Sequence, residues 1–163
     1  MSIHKPASSK FVLGPVAILG LSLTMVGFTA AGEKTIALKD TPGAVQKTVN
    51  EQLRGGKLRG LSVEVDKGET RYEAEMTVDG KNRDVVIDSA GTVLEAEVVV
   101  ELSALPEAVR AGLLREAGKG SVATVEELTR DGVVSYEALI KETGKKNREV
   151  VVGTDGKLVG AKK

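Results

Sequence analysis

Apolar residues recur every four positions in two stretches of the chain. Val45, Val49 and Leu53 form the first series; Val109, Leu113 and Ala117 form the second. That spacing draws one apolar stripe along a helix. Each series follows a proline, Pro42 or Pro106. Proline suits the first helical position, where its missing N–H has no intrahelical partner to lose. Gly55-Gly56 and Gly118 supply the left-handed residue at which helices commonly stop.

Beyond each helix the period changes to two. Leu61, Val63 and Val65 alternate with Ser62 and Glu64, and Tyr72, Ala74, Met76 and Val78 with Glu73, Glu75 and Thr77. Val85 and Ile87 follow, and then Leu94, Ala96, Val98 and Val100 alternate with Glu95, Glu97, Val99 and Glu101. Alternation predicts strands with one dry and one wet face. Turns fall at Lys67-Gly68-Glu69, at Ser89-Ala90-Gly91 and at Asp79-Gly80, the last a strong hairpin signal. After the second helix the pattern returns in Val122–Leu128, in Tyr136, Ala138 and Ile140, in Val150–Val152 and in Lys157–Gly160, with Asp131-Gly132 at the first hairpin. The predicted fold class is α+β: two tandem units, each one helix packed on an antiparallel sheet of about four strands.

Scarce residues support a duplication. Pro42 and Pro106 are 64 residues apart, and so are Tyr72 and Tyr136. Tyr72-Glu73-Ala74 matches Tyr136-Glu137-Ala138, and the run from Gly80 to Val86 matches that from Gly144 to Val151 with one added lysine. The expected units span residues 40–102 and 103–163. A unit of ~60 residues buries a core only marginally, so the two are expected to support one another. The strand from Val93 to Glu101, apolar on both faces at Val98-Val99-Val100, is expected at their junction. Lys162-Lys163 ends the last strand, as lysine often does at a sheet edge.

The first 32 residues stand apart. Lys5 and Lys10 precede an uncharged run over residues 11–28, and Thr29, Ala30, Ala31 and Gly32 follow. Positive, apolar, then small is the order of a secretory signal, so residues 1–32 read as a signal peptide. An uncleaved membrane anchor at residues 11–28 is the alternative, since a span needs about 20 apolar residues. His4, Phe11 and Phe28 belong to this segment. Residues 33–163 therefore contain no His, Cys, Trp or Phe, and carry 21 basic and 23 acidic side chains. Nucleophile–base pairs built on His or Cys are missing, as are zinc sites of those ligands. No Ser-x-x-Lys occurs in this part, and a net charge near −2 lacks the basic footprint of a nucleic-acid binder. No enzyme activity, cofactor or metal is expected.

The order of Leu-Pro and helix, a strand pair with Tyr-Glu in its second strand, Asp-Gly turns and short valine strands resembles the PepSY-like family. That family includes the beta-lactamase-inhibitor-like PepSY proteins of bacterial envelopes. The resemblance covers nearly all of residues 40–163, as two copies. It implies a non-enzymatic, periplasmic or secreted protein that binds an envelope or extracellular protein, with inhibition of a peptidase or other hydrolase as one form of that binding.

Candidate contacts follow from the pattern. Tyr72 and Tyr136 are the single aromatic of each unit; tyrosine is enriched at interfaces, but both lie on the dry face, where a ring in the core with its hydroxyl at the rim also fits. Asn82, Arg83, Asn147 and Arg148 follow the second hairpin of each unit, where they could meet a partner or serve turn geometry and strand-end solvation. Glu73, Glu75, Glu95, Glu97 and Glu101 are expected on outward faces as a solvated acidic surface, partly balanced by Arg71 and Lys81. Such a surface leaves a second functional reading open, a periplasmic sensor of a small ligand or cation.

Overall fold

Each helix starts one residue later than the sequence suggests, after its proline rather than on it. The computed structural model describes residues 33–66 and 68–162; in it α1 runs Gly43–Leu53 and α2 runs Glu107–Ala117. Pro42 and Pro106 are the extended residues just before them, at φ −54° and φ −51°. Their carbonyls accept the first helical bonds, from the Gln46 and Arg110 N–H groups at 3.0 Å. After α1 Arg54 (φ 47°) and then Gly55 (φ 83°) take positive φ, and Gly118 (φ 57°) ends α2. Gly56 is required for space instead, since a Cβ there would overlap the Thr77 carbonyl.

The strands are β1 (Lys34–Thr35), β2 (Lys57–Asp66), β3 (Glu69–Val78), β4 (Lys81–Asp88), β5 (Val93–Val99), β6 (Ser121–Arg130), β7 (Val133–Lys141), β8 (Arg148–Gly153) and β9 (Leu158–Lys162). They form one nine-stranded sheet in chain order. Every neighbouring pair is antiparallel. This corrects the expected fold class: the chain does not make two units with a four-stranded sheet each. The overturning observation is the ladder between β5 and β6, from Glu95 opposite Arg130 to Val99 opposite Glu126. A sheet ending at β5 would expose an edge of unpaired N–H and C=O groups on a strand apolar on both faces, and pairing with β6 removes that edge. β1 and β9 are the outer strands; Lys163 and the expected targeting segment, residues 1–32, lie outside the described residues. Among the described residues no helix is long and apolar enough to cross a membrane.

Both helices lie on one face. Val45 and Val49 of α1 join Tyr72, Ala74, Met76, Val85 and Ile87 in one core cluster. Val109, Leu113 and Ala117 of α2 join Tyr136, Ala138, Ile140, Val150 and Val152 in another. Each buried aliphatic side chain contributes roughly 1.5–3 kcal/mol relative to exposure. The helices are also tied to the turns between the last two strands they cover. Thr48 Oγ1 donates to the Gly91 carbonyl at 2.7 Å, and Arg115 Nη2 to the Gly156 carbonyl at 2.9 Å. Gly112 and Gly156 make the second contact close: a Cβ on Gly112 would strike the Gly156 carbonyl, and one on Gly156 the Ala108 carbonyl.

Candidate binding face

Four of the residues singled out from the sequence, Tyr72, Tyr136, Arg83 and Arg148, lie on the helix-covered side, whereas Asn82, opposite Thr77, faces the other way. Tyr72 and Tyr136 are 7% and 6% exposed and lie within the two core clusters. Burial raises the Tyr136 pKa, and Glu127, the hydrogen-bond partner of its hydroxyl, adds to the rise. Arg83 and Arg148 reach the ends of the helices: Arg83 Nη2 donates to Gln52 Oε1 at 2.7 Å, while Arg148 Nη2 bonds the Glu116 carbonyl and its Nε donates to Glu142 Oε1 at 2.9 Å. Burial, with Arg54 nearby, lowers the Arg83 pKa. Arginine suits this position because it can satisfy late carbonyls or side chains of a helix that have no helical donor. Asn82 is half-buried on β4 and Asn147 exposed just before β8. The arginines thus hold helix to sheet, and the tyrosines fill the core beneath.

The other face carries charge. Direct cross-strand neighbours share a face, which places Glu75, Asp84 and Glu97 side by side on β3, β4 and β5. Glu126 and Glu137 are opposite one another on β6 and β7, and Glu149 lies opposite Leu139 on β8. Val86, Leu128 and Val151 lie among them. The helix contacts all run to the opposite side, through the two core clusters.

Arg59 joins this face because of a bulge. The register slips between Leu58 and Gly60, and a bulge re-aims the extra residue. Its guanidinium donates to Asp84 Oδ1 at 2.9 Å and to the Met76 carbonyl at 3.1 Å, and stands 3.5 Å from Glu75 Oε2. Sequence reading missed it, although a signal exists: Leu58 and Leu61 are out of phase with a period of two. The same slip occurs between Val122 and Thr124 in β6, but the extra residue there is Ala123.

The acidic surface is not simply solvated, contrary to expectation. Glu95 is 2% exposed, Glu64 3% and Glu137 4%. Arg130 is paired with Glu95 Oε2. No nitrogen donor reaches the other oxygen, Glu95 Oε1, and Glu64 Oε2 is likewise buried without a partner. Burial holds the Glu97 carboxyl far above the usual range, and a hydrogen bond with Glu95 and the nearby Glu126 add to this. Burial first, then Asp84 and further carboxylates, pushes Glu73 up to about 7. Burial, Asp84 and Glu149 push Glu126 up to about 7. Asp84 is raised by burial against the pull of Arg59. Among the described residues no three His, Cys, Asp or Glu side chains converge to hold a metal ion. Glu101, expected with this group, is exposed beyond the end of β5.

No family model and no curated protein matches this sequence. Solved structures do. A DUF2874 family protein from Bacteroides uniformis superposes with a TM-score of 0.63 at 15% identity, over 75% of this chain and 88% of that one. The chain is similar in fold to that DUF2874 protein. A DUF2874 protein from Bacteroides ovatus gives a TM-score of 0.61 at 17% identity over 75% and 86%. A protein described as BLIP-like, from Bacteroides fragilis, gives 0.59 at 17% over 75% and 85%. At these identities the likeness to DUF2874 proteins concerns the path of the chain, and the roles of side chains have to come from this molecule.

Proposed function

We propose that this chain is an exported, non-catalytic binding module whose uncovered sheet face receives an envelope protein, as a binder or inhibitor of a peptidase or other hydrolase. The observation that carries the reading is the uncovered face itself. It combines aliphatic side chains with ordered carboxylates, while the residues after the signal-like segment offer no histidine or cysteine for nucleophilic chemistry. A broad sheet face with fixed side chains suits recognition of a protein surface. The BLIP-like neighbour in fold supports this class of activity. A fold neighbour described as a candidate periplasmic protein, from Bacteroides eggerthii (TM-score 0.63, 15% identity), and the signal-like residues 1–32 support export.

The reading includes a PepSY-like ancestry by duplication of residues 40–102 and 103–163. Support comes from β-bulges at equivalent places, Leu58/Gly60 and Val122/Thr124, then Val86/Ile87 and Val151/Val152. The prolines before α1 and α2, and single 3-10 turns at Leu38–Asp40 and Leu102–Ala104, recur at the same offset.

Capture from envelope extract, with the chain as bait, tests the function. The expected result is a saturable protein partner that Val151→Lys on the uncovered face abolishes and Leu114→Lys on α2 leaves bound. Leu114 is 51% exposed and tolerates the change. A partner lost with Leu114→Lys and kept with Val151→Lys would move recognition to the helix side and sink the reading.

A further inference from the structure

The outer edges of the sheet match the seam inside it. β1 sits on β2 as the end of β5 sits on β6: Lys34 and Thr35 face Val63 and Ser62, and Val98 and Val99 face Glu127 and Glu126. The next bond recurs as well, from the Ile36 N–H to the Leu61 carbonyl and from the Val100 N–H to the Val125 carbonyl. β5 also extends the other way, setting Glu97, Ala96 and Glu95 against Leu128, Thr129 and Arg130. β1 does not, so among the described residues β2 has no neighbouring strand at Glu64, Val65 and Asp66. At the opposite edge β9 repeats β5. The shared bulge, at Val86/Ile87 and at Val151/Val152, places Gly160, Ala161 and Lys162 at the positions of Glu95, Ala96 and Glu97.

We propose that β9 of one copy of this chain adds to β2 of a second copy, head to tail, pairing Gly160 with Asp66, Ala161 with Val65 and Lys162 with Glu64. The joint repeats the β5–β6 seam, with β9 of one copy and β1 of the next together in the place of β5. The relation of α2 to the next α1 then repeats that of α1 to α2, so the fold already holds the geometry required. The uncovered sheet face stays open, and the proposal is independent of the binding-module reading.

Backbone direction, exposure and charge each fit. In an antiparallel ladder the N–H and C=O of one residue face the same side and alternate along the strand. The bond from Ile36 to Leu61 therefore turns the groups of Leu61, Val63 and Val65 outward from β2. The bond from Val100 to Val125 does the same for Val98 and Ala96 of β5, and so by correspondence for Ala161 of β9. Val65 is 62% exposed, Leu158 47% and Val159 65%. Val93 and Leu94, the counterparts of the last two beside the seam, are half-buried. Exposed apolar edges are templates for pairing with another chain. Glu64 is 3% exposed and its Oε2 is buried without a partner; Arg71, opposite on β3, donates to Glu69 Oε2 at 2.9 Å. Lysine often keeps edges apart, but this register sets Lys162 opposite Glu64 as the donor it lacks. A longer β1 would put Glu33 there, carboxylate against carboxylate, and Glu33 lies outside β1.

The test is sedimentation of the chain isolated from the cell envelope, followed up to about 1 mM so that weak contacts register. Expected are dimers and longer species that grow with concentration, because a head-to-tail contact does not close after one step. Glu64→Lys and Lys162→Glu should each weaken association by roughly tenfold or more, since like charges then stand opposite. An equal mixture of the two variants should restore it, because Lys162 of one meets Glu64 of the other and the reversed pair forms at the next joint. Recovery on mixing separates the joint from misfolding. Ala161→Pro removes an outward N–H and spares the β8 ladder, so it should abolish association with the melting temperature unchanged. A chain monomeric at every concentration would overturn the proposal, as would association that survives Ala161→Pro. Dimers that stop at two and ignore Glu64→Lys would mean β9 against β9, and would overturn it too. An envelope partner still captured through Val151 by the monomeric variants would leave the binding-module reading standing whichever way this test falls.

Discussion

The half of the sheet under α1 and the half under α2 solve one packing problem with different side chains. Both helices must be held on a twisted sheet at the turn that ends their half. Under α1 the hold is a hydroxyl: Thr48 reaches the Gly91 carbonyl. Under α2 the equivalent residue is Gly112, the helix backbone itself lies on the Gly156 turn, and Arg115 reaches the carbonyl. The first contact is polar and local. The second is steric and leaves no room. The uncovered side differs too. Arg59 ties carboxylates together in the first half, whereas Ala123 leaves the second half without that tie. Shared backbone geometry fixes where a helix must dock, and it leaves open which chemistry does the docking and what the opposite face displays.

The steric contact should give the largest asymmetry. Gly112→Val sets a branched side chain against a backbone carbonyl that has nowhere to move. A loss of about 4 kcal/mol is expected from urea denaturation, whereas Thr48→Val, with a similar volume at the equivalent place, should lose only about 1 kcal/mol. Equal losses would mean that both helices are held the same way.

The cores should behave alike. Met76 and Ile140 occupy equivalent positions and are both fully buried. Met76→Ala and Ile140→Ala should each cost about 3 kcal/mol. Two separate unfolding transitions, each moved by only one of these changes, would break the continuity that the β5–β6 ladder provides; a single shifted transition is expected.

Stability should fall as pH rises from about 5 to 8. Glu73 and Glu126 have folded-state pKa values near 7, against an ordinary 4.5. Between those values the folded chain holds more protons than the unfolded one, so raising the pH favours unfolding. Their contribution is complete below the unfolded pKa and is lost as pH passes through the folded value near 7. Glu73→Gln and Glu126→Gln should flatten the melting temperature across this range, one acting in each half. A melting temperature that rises from pH 5 to pH 8 would contradict the burial of these groups.

The smallest effect concerns the uncovered face. Arg59→Ala should destabilise by about 1 kcal/mol at pH 8, and Ala123→Arg should recover a similar amount by supplying the tie that β6 lacks. Failure of Ala123→Arg to stabilise would show that the Glu126 side needs no cation of its own.

Much of this was legible in residue order. The four-residue spacing of Val45 and Val49, and of Val109 and Leu113, placed both helices, and alternation at Tyr72, Ala74 and Met76 named the dry face. Scarce prolines and tyrosines revealed the correspondence between the halves. The bulges were half legible, since the phase slip from Leu58 to Leu61 is visible but the new direction of Arg59 is not. The roles of Arg83 and Arg148 were out of reach, because Gln52 and Glu116 lie 31 and 32 residues away along the chain.

Local pattern therefore determined which segments become helix or strand and which side of each is apolar, because those properties depend on neighbours within a few residues. Only the tertiary structure decided that β5 continues into β6 as one sheet. Alternation describes a strand's two faces and says nothing about what pairs with its edges. The tertiary structure also decided the state of the carboxylates. Glu73 and Glu95 look equally outward along the chain, yet pairing across β4, β5 and β6 crowds acids together and buries Glu95 against Arg130, and burial with crowding turns an ordinary polar face into one whose carboxyls at Glu73, Glu97 and Glu126 are harder to ionise.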